Sequence, residues 1–256
     1  MVKVSADTAF FRNLSIAAID SLKEYHTTFE SQLKSIKDGE KVRIEEDLRR
    51  LDLAEEEAFA EWSLAMDQHS AKYDMLFTNF FRYSFAVLAF LVFEDWLNRL
   101  CCAVKDIKQL DEPVPKPSRD IVSTYKKYLK RSGVHFEDRI WQSVLDFNQV
   151  RNCIVHASGS VARVNPRRQH NLRELASRGI GIEISNYRNK HEHVPLYLEN
   201  DMLIIQPNYL EAVISDIKSL FNTLCDAIPL HEISFSSITT KKPRRAITRK
   251  GQTPQL

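Results

Sequence analysis

The sequence predicts a mainly α-helical protein, and three observations indicate this fold class. Apolar residues recur at steps of three and four along most of the 256-residue chain, as one-sided helices require. Residues 40–112 contain neither Gly nor Pro, which strongly favours helix over such a length. Only two short segments, residues 180–185 and 203–206, have the alternating β-branched pattern of strands. Hydrophobic residues make up 43% of the chain, enough for a substantial core.

The N-terminal part is predicted to contain long helices. The first spans residues 6–37 and ends at Asp38-Gly39. The next segment is rich in charges of both signs, which is typical of a solvated or coiled-coil-like helix. One unbroken helix over residues 40–112 would reach roughly 110 Å. We therefore expect a break near residues 68–70 or 78–79, and assign residues 1–72 to an N-terminal helical extension.

The central helix is predicted over residues 80–110, because its first half is apolar on most sides. Its most apolar run, residues 83–93, is too short to cross a bilayer, so we expect no membrane association. Three prolines, Pro113, Pro115 and Pro117, end this helix. A short basic helix over residues 120–130 is expected to follow.

The second half is predicted to hold another helix over residues 136–157, closed by Gly159. Residues 158–178 are interpreted as a long polar connection rich in arginine. The two strand-like segments then predict a small β-hairpin, and Pro207 begins the last helix. Residues 73–230 thus form a helical domain with the hairpin between its last two helices, and residues 231–256 a basic disordered tail.

Charge and cysteine content bound the function classes. Residues 241–256 carry six of the 36 basic residues and no acid, so residues 1–240 carry a formal charge of 30 − 34 = −4. The N-terminus lacks a basic region followed by an apolar core, and the four cysteines lack metal-ligand spacing. We expect a cytoplasmic protein with reduced thiols. No Gly-rich phosphate loop is present, and His191 and His193 have no further ligand cluster close in sequence, so neither cofactor nor metal is expected.

Polar residues interrupt the apolar end of the helix at residues 136–157. Arg151 and His156 are five positions apart, which is about 140° around a helix and about 7.5 Å along it. They would flank one groove, and an Arg and a His beside a groove suit phosphate chemistry. A second Arg-x4-His, at residues 188–193, lies in a polar run and is interpreted as a coincidence in a loop.

The run Arg-Asn-Cys-Ile-Val-His-Ala-Ser-Gly, residues 151–159, resembles the motif of the HEPN superfamily (higher eukaryotes and prokaryotes nucleotide-binding domains), Arg-x(4–6)-His near a helix end. The resemblance implies a helical bundle that forms homodimers through the motif helices. Many members are metal-independent ribonucleases, often toxins or anti-phage effectors. It implies catalytic roles for Arg151 and His156, with Asn152 in support. Glu94 is a further candidate, although it also lies where its helix would emerge into solvent.

The chemistry implied is RNA cleavage by attack of the ribose 2′-hydroxyl, with His156 moving protons and Arg151 holding the phosphate. Arg163, Arg167 and Arg168 are candidates for binding the RNA backbone. An antitoxin or regulatory protein is a possible further partner.

Two other functions remain open. One is a non-catalytic module that binds RNA, a nucleotide or a partner protein. The other is a coiled-coil adaptor in which Arg151 pairs with an acid, His156 caps its helix and the motif is incidental.

Overall fold

The structure is a computed structural model that describes residues 5–6, 8–51, 53–116, 120–185, 201–228 and 233–234. Within these ranges it is mainly helical, which confirms the predicted class. The α-helices are α1 (Thr8–Arg50), α2 (Glu55–Ser70), α3 (Thr78–Lys108), α4 (Ile121–Arg131), α5 (Gln142–Ala157), α6 (Pro166–Ser177) and α7 (Pro207–Asp226). A π-helical segment, Ala71–Phe77, joins α2 to α3, and short 3-10 turns cover Asp138–Trp141 and Val161–Arg163.

Four short strands form two antiparallel pairs in the described part of the chain. These strands are β1 (Ser5–Ala6), β2 (Ile182–Ser185), β3 (Met202–Ile205) and β4 (Ile233–Ser234). The β2–β3 pair, with Ile182 opposite Ile205, is the predicted hairpin between α5 and α7. The β1–β4 pair joins the two ends of the described chain. Apart from β4, the predicted tail at residues 231–256 lies outside the described residues.

Helix α3 is the centre of the bundle and packs against α1, α4, α5 and α7. Its apolar residues are buried on several faces, as expected for a helix that is apolar on most sides. Phe90 contacts Phe147 of α5, with ring centroids 5.8 Å apart, and Phe93 contacts Phe221 of α7 at 6.0 Å. These contacts fix α5, which carries the motif, along one side of α3.

The first half of α1 belongs to this bundle. Phe11, Ile19 and Leu22 are buried in the common core, where α1 packs against α7 and α3. The second half of α1 leaves the bundle and packs with α2 as a helical hairpin, residues 38–69, which we call the arm. At the base of the arm, His69 Nε2 lies 3.0 Å from the carbonyl oxygen of Lys37. The predicted extension therefore divides into a bundle helix and the arm.

Both predicted breaks in the N-terminal helices are wrong. Helix α1 continues through Asp38-Gly39 to Arg50, and α2 begins at Glu55. A glycine in a helix interior costs about 1 kcal/mol relative to alanine, which the surrounding helix can outweigh. Between α2 and α3 the helix does not break either, because residues 71–77 take π-helical hydrogen bonds, with the Thr78 N–H donating to the carbonyl of Tyr73.

The interpretation of residues 158–178 as a polar connection is also wrong, because they contain α6. Asn165 caps this helix by accepting a hydrogen bond from the Arg168 backbone N–H at 3.0 Å, and Pro166 occupies its first turn. Leu172 and Leu175 are buried beneath it. Two buried leucines and a good N-cap thus suffice for a helix that is otherwise polar.

One helical stretch, Glu55–Lys108, contains an 18-residue window long and apolar enough to cross a membrane, although the sequence predicts no such segment. The core helix of a bundle passes the same test, and 44% of that window is buried inside the protein.

Candidate functional site

The C-terminal end of α5 is fixed where α3 and the β-hairpin meet. Ser158 and Gly159 have φ angles of 52° and 81°, and the Gly159 N–H closes the helix on the carbonyl of Cys153 at 3.2 Å. Gly159 packs against the ring of Tyr83, where a Cβ atom would overlap the ring. The Tyr83 hydroxyl donates to the carbonyl of Leu203, and the Leu203 N–H donates to the carbonyl of Gly159 at 2.9 Å. This end of α5 therefore has a defined position.

Arg151 is half-buried and lies against α3. Its guanidinium carbon is 5.1 Å from the ring centroid of Phe90, and Nη1 donates to Oδ1 of Asn152 at 3.0 Å. Its Nε is buried without a hydrogen-bond partner. In the described part of the chain Arg151 forms no ion pair. The positive charge is thus held in place by an aromatic ring and an amide, and no carboxylate of the described residues lies at ion-pair distance from it.

Asn152 and Asn148 form a buried amide pair behind Arg151. The Nδ2 of Asn152 donates to Oδ1 of Asn148 at 3.3 Å, one helical turn earlier. This bond leaves Oδ1 of Asn152 facing the guanidinium. Among the described residues the side chain of Asn152 thus contacts Arg151 and Asn148, and its predicted supporting role in catalysis stays a prediction.

Glu94 lies on α3 one turn after Phe90 and is half-buried. Burial raises the pKa of the Glu94 carboxyl above its ordinary value, and the positive charge of Arg151 partly opposes this by lowering it. Glu94 is therefore an electrostatic neighbour of Arg151.

His156 is exposed and, within the described residues, forms neither a hydrogen bond nor an ion pair. The N–H groups of Ser158 and Gly159 close the helix, so the imidazole does not act as a cap. His156 lies two turns after Gln149 on the same side of α5. Gln149 accepts a hydrogen bond from Asn171 of α6 at 3.0 Å, so His156 faces the side where α6 lies. Within one chain, Arg151 and His156 thus face different neighbours at the same helix end.

The arginines predicted to bind RNA lie at the start of α6 and just before it. Asn171 contacts Gln149, and Arg178 contacts Asp146 at 2.9 Å, so α6 runs antiparallel to α5. The N-terminal end of α6 therefore lies toward His156. Arg163, Arg167 and Arg168 are all exposed there.

Sequence reasoning missed Phe90 and Asn148. Phe90 lies in the most apolar run of the chain, where an aromatic residue predicts core packing. Only the packing of α3 on α5 brings its ring under Arg151. Asn148 had a usable signal, because it is four residues before Asn152 and so shares its helix face.

No group of three His, Cys, Asp or Glu side chains suited to a metal ion occurs among the described residues. His191 and His193, which have a metal-like spacing, lie outside them.

No protein-family model, curated protein or solved structure matches the chain. The resemblance to the HEPN superfamily therefore rests on the sequence alone, at residues 151–159.

Proposed function

We propose that this protein is a metal-independent endoribonuclease of HEPN type that acts as a homodimer, in the class of toxins or phage-defence effectors. The proposal rests on the contacts of the Arg151 guanidinium. Its guanidinium is oriented by Phe90 and Asn152 but has no ion-pair partner among the described residues. A guanidinium that is held in place and forms no ion pair with the described residues suits a phosphate group, which it can bind through two N–H donors.

The proposed reaction transfers the phosphodiester to the neighbouring ribose oxygen. The 2′-hydroxyl loses its proton to a neutral imidazole and attacks phosphorus. The bond from phosphorus to the 5′-oxygen breaks, and that oxygen takes a proton from an imidazolium. The products are a 2′,3′-cyclic phosphate and a 5′-hydroxyl. DNA is not cut, because it lacks the 2′-hydroxyl.

A second chain would supply the second histidine that this reaction needs. The reaction uses one base and one acid, whereas each chain has a single motif histidine, His156. Within a chain His156 also faces the α6 side, away from Arg151. A two-fold pairing of motif helices would present two copies of each group to one RNA strand. The exposed arginines Arg163, Arg167 and Arg168 would hold the backbone beside His156.

The test is cleavage of RNA in EDTA by the wild-type chain and by His156→Ala. We expect the substitution to lower the rate by at least about 10²-fold, as loss of a proton-transfer group does. His135→Ala is the matched control, because His135 is also exposed. It precedes the Asp138–Trp141 turn and so lies before the start of α5, whereas His156 lies near its end. It should cut at the wild-type rate. An inactive wild type, or equal rates for all three proteins, would reject the nuclease.

A second candidate is a non-catalytic module that binds RNA or a nucleotide through the same residues. It is favoured by the half-buried position of Arg151, which leaves only part of the guanidinium open to a ligand. RNA binding measured by fluorescence anisotropy, weakened by Arg151→Lys but without cleavage products, would select this function.

A further inference from the structure

A pocket of about 480 Å³, which we call the arm-base pocket, lies where the arm leaves the bundle. Side chains of α1 between residues 30 and 38 form one wall, and side chains between residues 74 and 82 form the second. Ile204 of β3 and Gln206, two residues later, form the third. Pockets of this volume hold small molecules, and π-helical turns, such as the one in the second wall, occur frequently at functional sites. None of these residues belongs to the candidate site at the end of α5, so the pocket is a separate candidate for ligand binding.

Among the described residues, three acidic and three basic side chains line the arm-base pocket, and four of these six are paired with each other. Arg82 donates two hydrogen bonds to Glu30, at 2.7 and 3.0 Å. Lys37 pairs with Asp74, whose other carboxylate oxygen accepts a hydrogen bond from the hydroxyl of Ser70 at 3.0 Å. Because the charges of the lining balance, the pocket does not suit a ligand with a large net charge, such as a nucleic acid strand.

Lys34 and Asp38 are the two remaining charged side chains of this lining. Neither forms an ion pair or a hydrogen bond with another described residue. They are four positions apart on α1, where Cβ atoms lie about 5–6 Å apart and a Lys and an Asp commonly pair. Both are exposed, so they lie at the open side of the pocket. An unpaired ammonium beside an unpaired carboxylate suits a ligand that carries one charge of each sign.

The inner part of the arm-base pocket offers apolar contacts and side-chain amides. Leu33 of the first wall and Ile204 of the third are both half-buried. Asn79, which is only 5% exposed, and Gln206 contribute amides, which can donate to a carboxylate and accept from an N–H group. A ligand with an apolar side chain and polar backbone groups therefore matches this part of the pocket.

We propose that the arm-base pocket binds a small zwitterion, either an apolar amino acid or a dipeptide of apolar amino acids with free termini. The carboxylate of the ligand pairs with Lys34, its ammonium pairs with Asp38, and its side chain packs against Leu33 and Ile204. An amino acid and a dipeptide share this chemistry and differ in length, so the experiment below compares them. The proposal does not require RNA cleavage.

The arm-base pocket borders the contacts that hold the end of α5. Arg82 donates to the carbonyl of Ile205 at 2.9 Å, and the next residue, Tyr83, donates to the carbonyl of Leu203 in the same strand. The N–H of Leu203 donates in turn to the carbonyl of Gly159 at 2.9 Å. A ligand that contacts both α1 and β3 therefore stabilises the strand on which the end of α5 is held.

The experiment titrates the full-length chain with L-leucine and with leucyl-leucine by calorimetry at pH 7, in the absence of RNA. We expect one site per chain. The N-acetyl and the C-terminal amide forms of the tighter probe should each bind at least about tenfold more weakly, because each lacks one of the two charges. Tighter binding of leucyl-leucine assigns the pocket to a dipeptide, and tighter binding of L-leucine assigns it to an amino acid.

Substitutions in the chain give an independent readout. Lys34→Met and Asp38→Asn should each weaken binding at least about tenfold without loss of helical circular dichroism, because both side chains are exposed. Lys41→Met and Glu46→Gln are the matched controls, because they remove exposed charges of α1 that do not line the pocket, and they should bind as the wild type does.

Three outcomes would overturn the proposal. The first is a wild type that binds neither probe at millimolar concentration. The second is equal affinity for the free and the blocked forms of a probe. The third is wild-type affinity in both Lys34→Met and Asp38→Asn. RNA plays no part in these measurements, so binding as expected in a chain that does not cut RNA would reject only the nuclease.

Discussion

At the scale of single residues, one half-buried carboxylate links three elements. Glu30 of α1 accepts two hydrogen bonds from Arg82 of α3, at 2.7 and 3.0 Å, and lies 3.6 Å from the imidazole of His26. Arg82 also donates to the carbonyl of Ile205 in β3 at 2.9 Å. Burial raises the pKa of Glu30, but His26 and Arg82 lower it further, to about 2. Its ionised form is therefore favoured by the folded state.

We predict that Glu30→Gln lowers the free energy of unfolding at pH 7 by on the order of 2 kcal/mol. The pKa of Glu30 is depressed on folding, so its contribution is complete above the ordinary value of 4.5 and is lost as the pH falls toward 2. Urea unfolding of the wild type and of Glu30→Gln should show that the difference between their free energies of unfolding becomes smaller from pH 7 to pH 3. Exposed Glu24, changed to Gln on the same helix, is the control. A gap that is constant with pH would contradict the prediction.

At the scale of elements, the junction of α5 with the hairpin depends on Gly159. Gly159 and Gly179 both have positive φ angles, 81° and 67°. A Cβ atom at Gly159 would overlap the Tyr83 ring, whereas one at Gly179 would meet nothing within 4 Å. Alanine substitutions at these two glycines therefore separate the cost of backbone strain from the cost of disturbing the contact with Tyr83.

We expect Gly179→Ala to cost about 1 kcal/mol, the strain of a left-handed alanine. Gly159→Ala should cost at least about 3 kcal/mol, because Tyr83 must move and its hydrogen bond to Leu203 is disturbed as well. Denaturant unfolding of the two variants measures both costs. Equal costs would mean that the contact with Tyr83 does not hold the end of the motif helix.

Elements with one strong apolar face could be predicted from the sequence. Helices α4 and α7 and the β2–β3 hairpin begin and end within a few residues of their predicted bounds. The failures occurred where a local signal competed with packing. Gly39 indicated a break, yet the helix continues through it at a cost of only about 1 kcal/mol. The π-helical segment had no signal, because a change from i+4 to i+5 hydrogen bonds leaves no mark in composition.

The candidate site, too, could be predicted only in part. The spacing of Arg151 and His156 along one helix could be found from sequence, and their position at its end is as expected. Which way each faces depends on α3 and α6, and α6 was interpreted as a loop. The sequence therefore predicted one groove flanked by both side chains, whereas Arg151 lies against Phe90 and His156 faces the α6 side.

At the scale of the whole molecule, the protein consists of a bundle and the arm. Among the described residues, the shared core contains none from the arm, residues 38–69. The ends of the arm are close together, since His69 contacts the carbonyl of Lys37 at 3.0 Å. Helix α2 is strongly acidic, with five carboxylates and no Lys or Arg. The arm is thus a separate module attached through two helical connections.

We predict that the bundle folds without most of the arm. Replacing residues 40–66 with a short Gly/Ser linker should leave the melting temperature within a few degrees, because no shared-core contact is removed. The control removes α6, Pro166–Ser177, which is shorter but buries Leu172 and Leu175, and it should lower the melting temperature sharply. If removing the arm unfolds the protein while removing α6 does not, this division of the molecule is wrong.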